Sequence, residues 1–244
     1  MKKVWILILA LLLTGCAHKD LAAVETTMPS TEASQVTVME TTVPETEPTE
    51  TTQPETEATL PPPPESEDTF VRVLDYIPTA TQELRYATED NFTGQVIYPF
   101  TDAYLRWGTV QKLMQVSEDL AEFGLYIKIW DGFRPVSAQF TLWEVCPNPT
   151  YVANPTKGYS SHSRGNTIDL TLVDADGREV EMPTAFDDFS AKADREYGDC
   201  SEEARNNAVI LELLMEKYGF VGYSREWWHY ADSTTYPVEE MFEP

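Results

Sequence analysis

The chain has 244 residues, 42% of them hydrophobic, and 41 acidic against 17 basic side chains give it a formal net charge of −24 at pH 7. So acidic a chain argues against nucleic-acid binding, which draws its affinity from cations that displace counterions from phosphate. The length beyond the N-terminal stretches leaves room for one domain with a sizeable core.

Met1 to Gly15 read as a targeting segment. Lys2 and Lys3 give a positive start, Val4 to Leu13 form an apolar run too short for a comfortable membrane span, and Leu13-Thr-Gly-Cys16 is a small-residue processing site. A cysteine directly after Leu-Thr-Gly resembles the bacterial lipobox, so Cys16 is the expected lipidated N-terminus of the mature protein. An ordinary secretory signal or an uncleaved anchor are the alternatives, and all of them export the rest of the chain. Residues 16–68 are built from Thr, Glu and Pro and end in Pro61-Pro-Pro-Pro64. About a dozen acidic residues against Lys19, with no Phe, Tyr or Trp to bury, predict a disordered tether. As a flexible coil of about fifty residues it reaches on the order of 40 Å. It carries about half of the net charge, so the acidity describes a solvated spacer more than a substrate preference.

From Thr69 onward the composition changes, and residues 69–244 read as a single domain. Leu105 to Phe123 carry apolar residues at helical spacing and stop at Gly124; Leu125 to Trp130 then alternate like a strand. Asp131-Gly-Phe-Arg-Pro135 comes next, and Pro135 stands where a helix over Val136 to Val145 begins. Thr167 to Leu172 form a β-like run, and Asp174-Ala-Asp-Gly177 marks a turn between two such runs. Ser201 is the expected N-cap of a helix through Leu211, Leu214 and Met215 that ends at Lys217 and Gly219. Phe220 to Tyr230 read as one last aromatic strand. Short mixed elements without βαβ regularity predict an α+β fold, a single domain with a central mainly antiparallel sheet flanked by helices.

Only three histidines are present, and His18 lies in the tether. His162 in Ser160-Ser-His-Ser-Arg-Gly165, Asp169 in the β-like run after it, and His229 in Glu226-Trp-Trp-His offer two nitrogens and one oxygen. That set suits zinc with an open position better than calcium or magnesium, which take all-oxygen shells. Gly165 lets the chain turn between a loop ligand and a strand ligand without steric cost. Glu226 is the natural general base, although on a regular strand a spacing of three puts it on the face opposite His229, so a bulge or irregular turn is expected there. Arg134, at the end of a buried strand, is the candidate for holding an oxyanion. Taken singly, each has a plainer reading: a surface histidine, an aspartate paired to arginine, a surface glutamate, a structural arginine. The two histidines of the folded part both standing in compact polar clusters favour the joint reading.

Ser160-x-His-x-x-Gly-x-Thr-x-Asp169 with Glu226-Trp-Trp-His229 resembles the paired zinc motifs of the D-alanyl-D-alanine metallopeptidases, most closely the VanX-type D-Ala-D-Ala dipeptidases, whose zinc site lies at the sheet of a Hedgehog/D,D-peptidase-like fold. Arg85-Tyr-Ala-Thr, Trp130-Asp-Gly-Phe-Arg-Pro135 and Phe186-Asp187 are similar to that group in the same order. The resemblance implies one zinc ion per chain on His162, Asp169 and His229, Glu226 as base and then proton donor, and Arg134 on the oxyanion. It further implies Asp187 on the substrate ammonium, with Asp188 as its adjacent alternative, Ser160 on the carboxylate and Tyr86 lining the pocket. Thr167 stands where alanine is usual in the first motif. The VanX-type resistance enzymes act in the cytoplasm, whereas this chain reads as an extracytoplasmic lipoprotein. The expected role is therefore hydrolysis of D-Ala-D-Ala in cell-wall turnover or salvage. A zinc D,D- or L,D-carboxypeptidase and a non-catalytic zinc domain that binds wall fragments are the alternatives, the latter disfavoured by Glu226 and Arg134. Cys146 and Cys200 are expected as two free buried thiols rather than a disulfide.

Overall fold

The computed structural model describes residues 60–244. The expected signal segment, Cys16 and nearly all of the tether lie outside the described residues. The elements in chain order are β1 (Phe70–Arg72), β2 (Thr81–Gln82), β3 (Tyr104–Arg106), α1 (Trp107–Ala121), β4 (Tyr126–Asp131), α2 (Val136–Val145), β5 (Thr167–Val173), α3 (Glu202–Lys217), β6 (Phe220–Tyr223) and β7 (Glu226–Asp232). Five strands make the main sheet in the order β2-β4-β5-β7-β6, antiparallel except for the β2–β4 pair. The chain is therefore α+β with a mainly antiparallel sheet, as its element pattern predicts. α1 packs on β4, and α3 on β6, β7 and α1.

β5 occupies the centre, and all seven of its residues are buried. Its alternation sends Ile168, Leu170 and Leu172 to one face, where they join the apolar core with Ile127 and Ile129 of β4. Each such side chain contributes about 1.5–3 kcal/mol by leaving water. Thr167, Asp169 and Thr171 take the other face, which is where the chemistry lies. α3 starts as its sequence dictates: the Ser201 hydroxyl accepts from the Ala204 N–H at 3.0 Å, Glu202 and Glu203 occupy the positive end, and Lys217 the negative end.

Four expectations are corrected. The first helix starts at Trp107 instead of Leu105, because Tyr104–Arg106 pair antiparallel with Phe70–Arg72 in a second, two-stranded sheet. Phe220 to Tyr230 are a hairpin instead of one strand, since the chain reverses at Ser224-Arg225. The Asp174–Gly177 turn forms, with Gly177 at φ 76, but the run after it is reduced to a single bridge between Val173 and Glu179. Among the described residues Cys146 and Cys200 form no disulfide, and both are only partly buried.

Candidate active site

The site is assembled by strand register. Residues directly opposite in an antiparallel pair point to the same face. Asp169 on β5 lies opposite His229 on β7, and on its other side opposite Asp131 on β4. The second pairing needs a bulge, because Ile129 is opposite Leu170 and a regular ladder would bring Trp130, not Asp131, to Asp169. The extra residue sets Asp131, Asp169 and His229 in one row across three strands.

His162 reaches this row from the 3-10 turn Ser161–Arg164, which ends at Gly165 with φ 72. A side chain at Gly165 would put its Cβ 2.3 Å from the Phe70 ring, so close approach as well as backbone sign demands glycine. The His162 Nδ1–H donates to the Gly132 carbonyl at 2.8 Å, which leaves Nε2 as the free donor atom. Nε2 stands 3.5 Å from Asp169 Oδ2 and 3.4 Å from His229 Nδ1, and His229 Nδ1 is 2.9 Å from Asp169 Oδ1. Two ligands on a tetrahedral ion with zinc-like bond lengths lie roughly 3.3 Å apart. Donor type and separation therefore both fit zinc. Burial opposes the charge on Asp169, but the two imidazoles hold its carboxyl well below the usual range. Burial likewise disfavours a charged His162, and Asp169 and Asp131 outweigh it to raise that pKa.

Glu226 reaches the same face by a marked irregularity. Gly222 lies opposite Tyr230 but its neighbour Tyr223 lies opposite Glu226, so β7 carries three residues, Trp227, Trp228 and His229, without partners on β6. The expected departure from a regular strand is thus present. Glu226 Oε2 stands 3.8 Å from His229 Nδ1, and burial lifts the pKa of its carboxyl, with His229 pulling it down and Asp169 pushing it up.

Arg134 follows the β4 bulge. Its Nη2 donates to Asp131 Oδ2 at 2.6 Å, its Nε to the Tyr98 hydroxyl at 3.1 Å, and its Nη1 to Gln139 Oε1 at 2.9 Å. Asp131 is fully buried, and its other oxygen accepts from the Tyr98 hydroxyl and the Gly132 N–H, both at 2.8 Å. Three of the five guanidinium N–H groups are so engaged among the described residues. The remaining two, one on each terminal nitrogen, are left for the cleft that Arg134 lines.

That cleft has a volume of about 320 Å³ and is lined by all eight site residues expected in the folded part. Also lining it, the Tyr86 hydroxyl donates to Asp187 Oδ2 at 3.0 Å. Asp187 is held with φ 56, in the left-handed region. Its neighbour Asp188 accepts from the Ser190 N–H at 2.9 Å and does not line the cleft, so Asp187 is the carboxylate that faces it. Burial first, then the charge of Asp169, pushes the Asp187 carboxyl up to about 8, against the pull of Tyr86 and Arg134. Ser160 is buried at the start of the His162 turn.

A family model described as D-Ala-D-Ala dipeptidase, of the M15 peptidases, matches residues 66–242. The chain belongs to this family. It is 37% identical over 163 residues to the D-alanyl-D-alanine dipeptidase of Escherichia coli (strain K12), covering 66% of this chain and 84% of that protein. To the D-alanyl-D-alanine dipeptidase of Enterococcus faecium it is 34% identical over 169 residues, covering 61% and 84%. A solved vancomycin-resistance D,D-pentapeptidase VanY in complex with Zn(II) superposes with a TM-score of 0.38 at 15% identity, over 54% of this chain and 74% of that one. As a member of the dipeptidase family the chain is an enzyme, a metallopeptidase.

Sequence reasoning on this dipeptidase-family chain missed Asp131, Tyr98 and Gln139, the three groups that aim Arg134. A signal for the first was present: Asp131 stands three residues before Arg134 in Asp-Gly-Phe-Arg, ahead of the helix that supplies Gln139. The raised pKa of Asp187 has a measurable consequence. Between its ordinary 3.8 and about 8 the folded protein holds a proton that the unfolded chain releases. The stabilisation is complete below the lower value and is lost as pH rises through the upper one. In chelator-treated protein, the stability of wild type relative to Asp187→Asn should therefore fall steadily from pH 4 to 8 in urea melts. A flat difference would mean that Asp187 is not perturbed.

Proposed function

We propose that this enzyme hydrolyses the dipeptide D-Ala-D-Ala to D-alanine outside the cytoplasmic membrane, with zinc held by His162, Asp169 and His229. The observation that carries the reading is one small cleft lined both by this donor set with Glu226 and by a second buried carboxylate, Asp187. Bound zinc supplies a Lewis acid that polarises the peptide carbonyl and acidifies a water. The protein's own groups do the rest. Glu226 takes the proton of the attacking water and returns it to the departing amine. The two unengaged N–H groups of Arg134 donate to the carbonyl oxygen as it gathers negative charge. Asp187 receives the free ammonium, whose arrival favours the ionised carboxylate over the protonated one. Ser160 receives the terminal carboxylate, and Tyr86 orients Asp187 by the hydrogen bond from its hydroxyl. Anchoring both ends restricts the enzyme to dipeptides with a free N-terminus.

The lipobox-like Leu13-Thr-Gly-Cys16 and the acidic tether support a lipid-anchored extracytoplasmic enzyme that acts in wall-peptide turnover or salvage. The purified folded part should release D-alanine from D-Ala-D-Ala, lose this activity on chelation, and leave N-acetylated dipeptide and longer stem peptides intact. Hydrolysis of the blocked or longer peptides would sink the dipeptidase reading. A fall in the cytoplasmic D-Ala-D-Ala pool on expression of the full chain would sink the location.

A further inference from the structure

Arg195 lies outside the cleft, yet its hydrogen bonds converge on the segment that carries Glu226 and His229. Its side chain is 9% exposed. Nη2 is 3.2 Å from the Glu226 carbonyl, 3.0 Å from that of Trp227 and 3.0 Å from that of His229. Nε donates to the Tyr223 carbonyl at 2.9 Å, Nη1 to the Tyr230 hydroxyl at 2.9 Å, and the guanidinium lies 4.2 Å from the centre of the Tyr230 ring. Among the described residues its one ion-pair partner is Glu212, at 3.7 Å. Where arginine pairs with a carboxylate it frequently does so by two parallel bonds, which Glu212 at 3.7 Å does not provide. Arg195 Nη2 instead faces three backbone carbonyls of a β7 segment whose residues Trp227, Trp228 and His229 lack partners on β6, while Nε holds the facing β6 carbonyl of Tyr223.

We infer that Arg195 is a positioning residue for the dipeptidase: its guanidinium replaces the missing strand ladder and holds the irregular Glu226–His229 segment, so that a proton-transferring carboxylate and a metal ligand three residues apart face the same cleft. The assignment rests on the proposed roles of Glu226 and His229. The guanidinium lies directly against the backbone of Gly222. An alanine at Gly222 would place its Cβ 2.3 Å from Arg195 Cζ and 2.6 Å from both Nε and Nη2. Gly222 is not among the positive-φ glycines, so the guanidinium, not the backbone, is what excludes a side chain there.

The test uses Arg195→Ala, Gly222→Ala and the double variant, with zinc affinity read by chelator competition, kcat and KM for D-Ala-D-Ala, and Tm. Groups that orient metal ligands from outside typically change metal affinity or activity by about 10- to 100-fold. Arg195→Ala should weaken zinc binding by that order and lower kcat similarly at saturating zinc, with KM within about threefold because Asp187 and Ser160 stand on other segments. Gly222→Ala keeps the arginine but displaces it, and should reproduce the defect. The double variant should be no worse than Arg195→Ala, since both changes remove the same contacts. Arg195→Lys, a point donor, should recover only a small part of the loss. A merely structural arginine would lower Tm and leave zinc affinity and kcat well below Tm as in wild type; that result, or losses in the two single variants that simply add, overturns the inference. Should wild type fail to hydrolyse the dipeptide while both single variants lose zinc affinity, the proposed reaction falls and the role of Arg195 stands.

Discussion

Glu226→Gln is expected to lower kcat for D-Ala-D-Ala by about 10²–10⁴, the usual span for a lost general acid–base group, with zinc still bound. The amide keeps the volume and hydrogen-bonding reach of the carboxyl but cannot take a proton from water, so binding should survive where turnover does not. Geometry separates this outcome from a ligand defect. The Glu226 oxygen stands 3.8 Å from His229 Nδ1, farther than any of the three donor contacts within the cluster, which span 2.9 to 3.5 Å. Kinetics together with metal content per chain check it. A variant that lost zinc along with activity would make Glu226 a ligand, and one that kept its rate would remove it from the chemistry.

Arg134→Ala should lower kcat/KM by about 10²–10³, the range for deleting one oxyanion donor, and should also destabilise the fold. The second effect comes from Asp131, a fully buried carboxylate that keeps the Tyr98 hydroxyl and the Gly132 N–H but loses its cation. Leaving one member of a buried pair alone costs about 3–5 kcal/mol, a large part of the 5–15 kcal/mol that typically holds a domain together. The two effects separate in Arg134→Ala combined with Asp131→Ala. Removing both charges should recover much of the stability in urea melts and none of the activity. Arg134→Lys should retain most of the stability and lose most of the activity, because an ammonium cannot reach Asp131, Gln139 and the cleft together. Loss of kcat with KM little changed would mark an interaction made mainly in the transition state. Recovery of turnover in the double variant would show that Arg134 acts only by neutralising Asp131.

Much of this fold is written locally. Ser201 with two glutamates after it starts α3, Pro135 opens α2, and Gly165 turns the chain between His162 and Asp169, each through forces that act within a few residues. The β1–β3 pair was not legible, since its three-residue strands join positions more than thirty apart and have no period of their own. The hairpin of β6 and β7 was hidden for a related reason: Ser224-Arg225 lacks the glycine or asparagine that marks a tight turn, and aromatic residues on both sides read as one run.

Residue chemistry alone determined the donor set: two neutral nitrogens and an oxygen that suit zinc, a nearby glutamate, and an arginine that carries its charge at any working pH. It also placed the histidines in loop and strand contexts that a metal site can use. Only the tertiary structure decided which of these groups meet. The Trp130 bulge selects Asp131 to stand beside Asp169, the unpaired residues of β7 turn Glu226 to the side of His229, and Asp187 rather than Asp188 faces the cleft. Those choices depend on strand register and on contacts between segments some sixty residues apart, such as His162 with His229, and a slip of one residue in either ladder would send the same side chains to the opposite face.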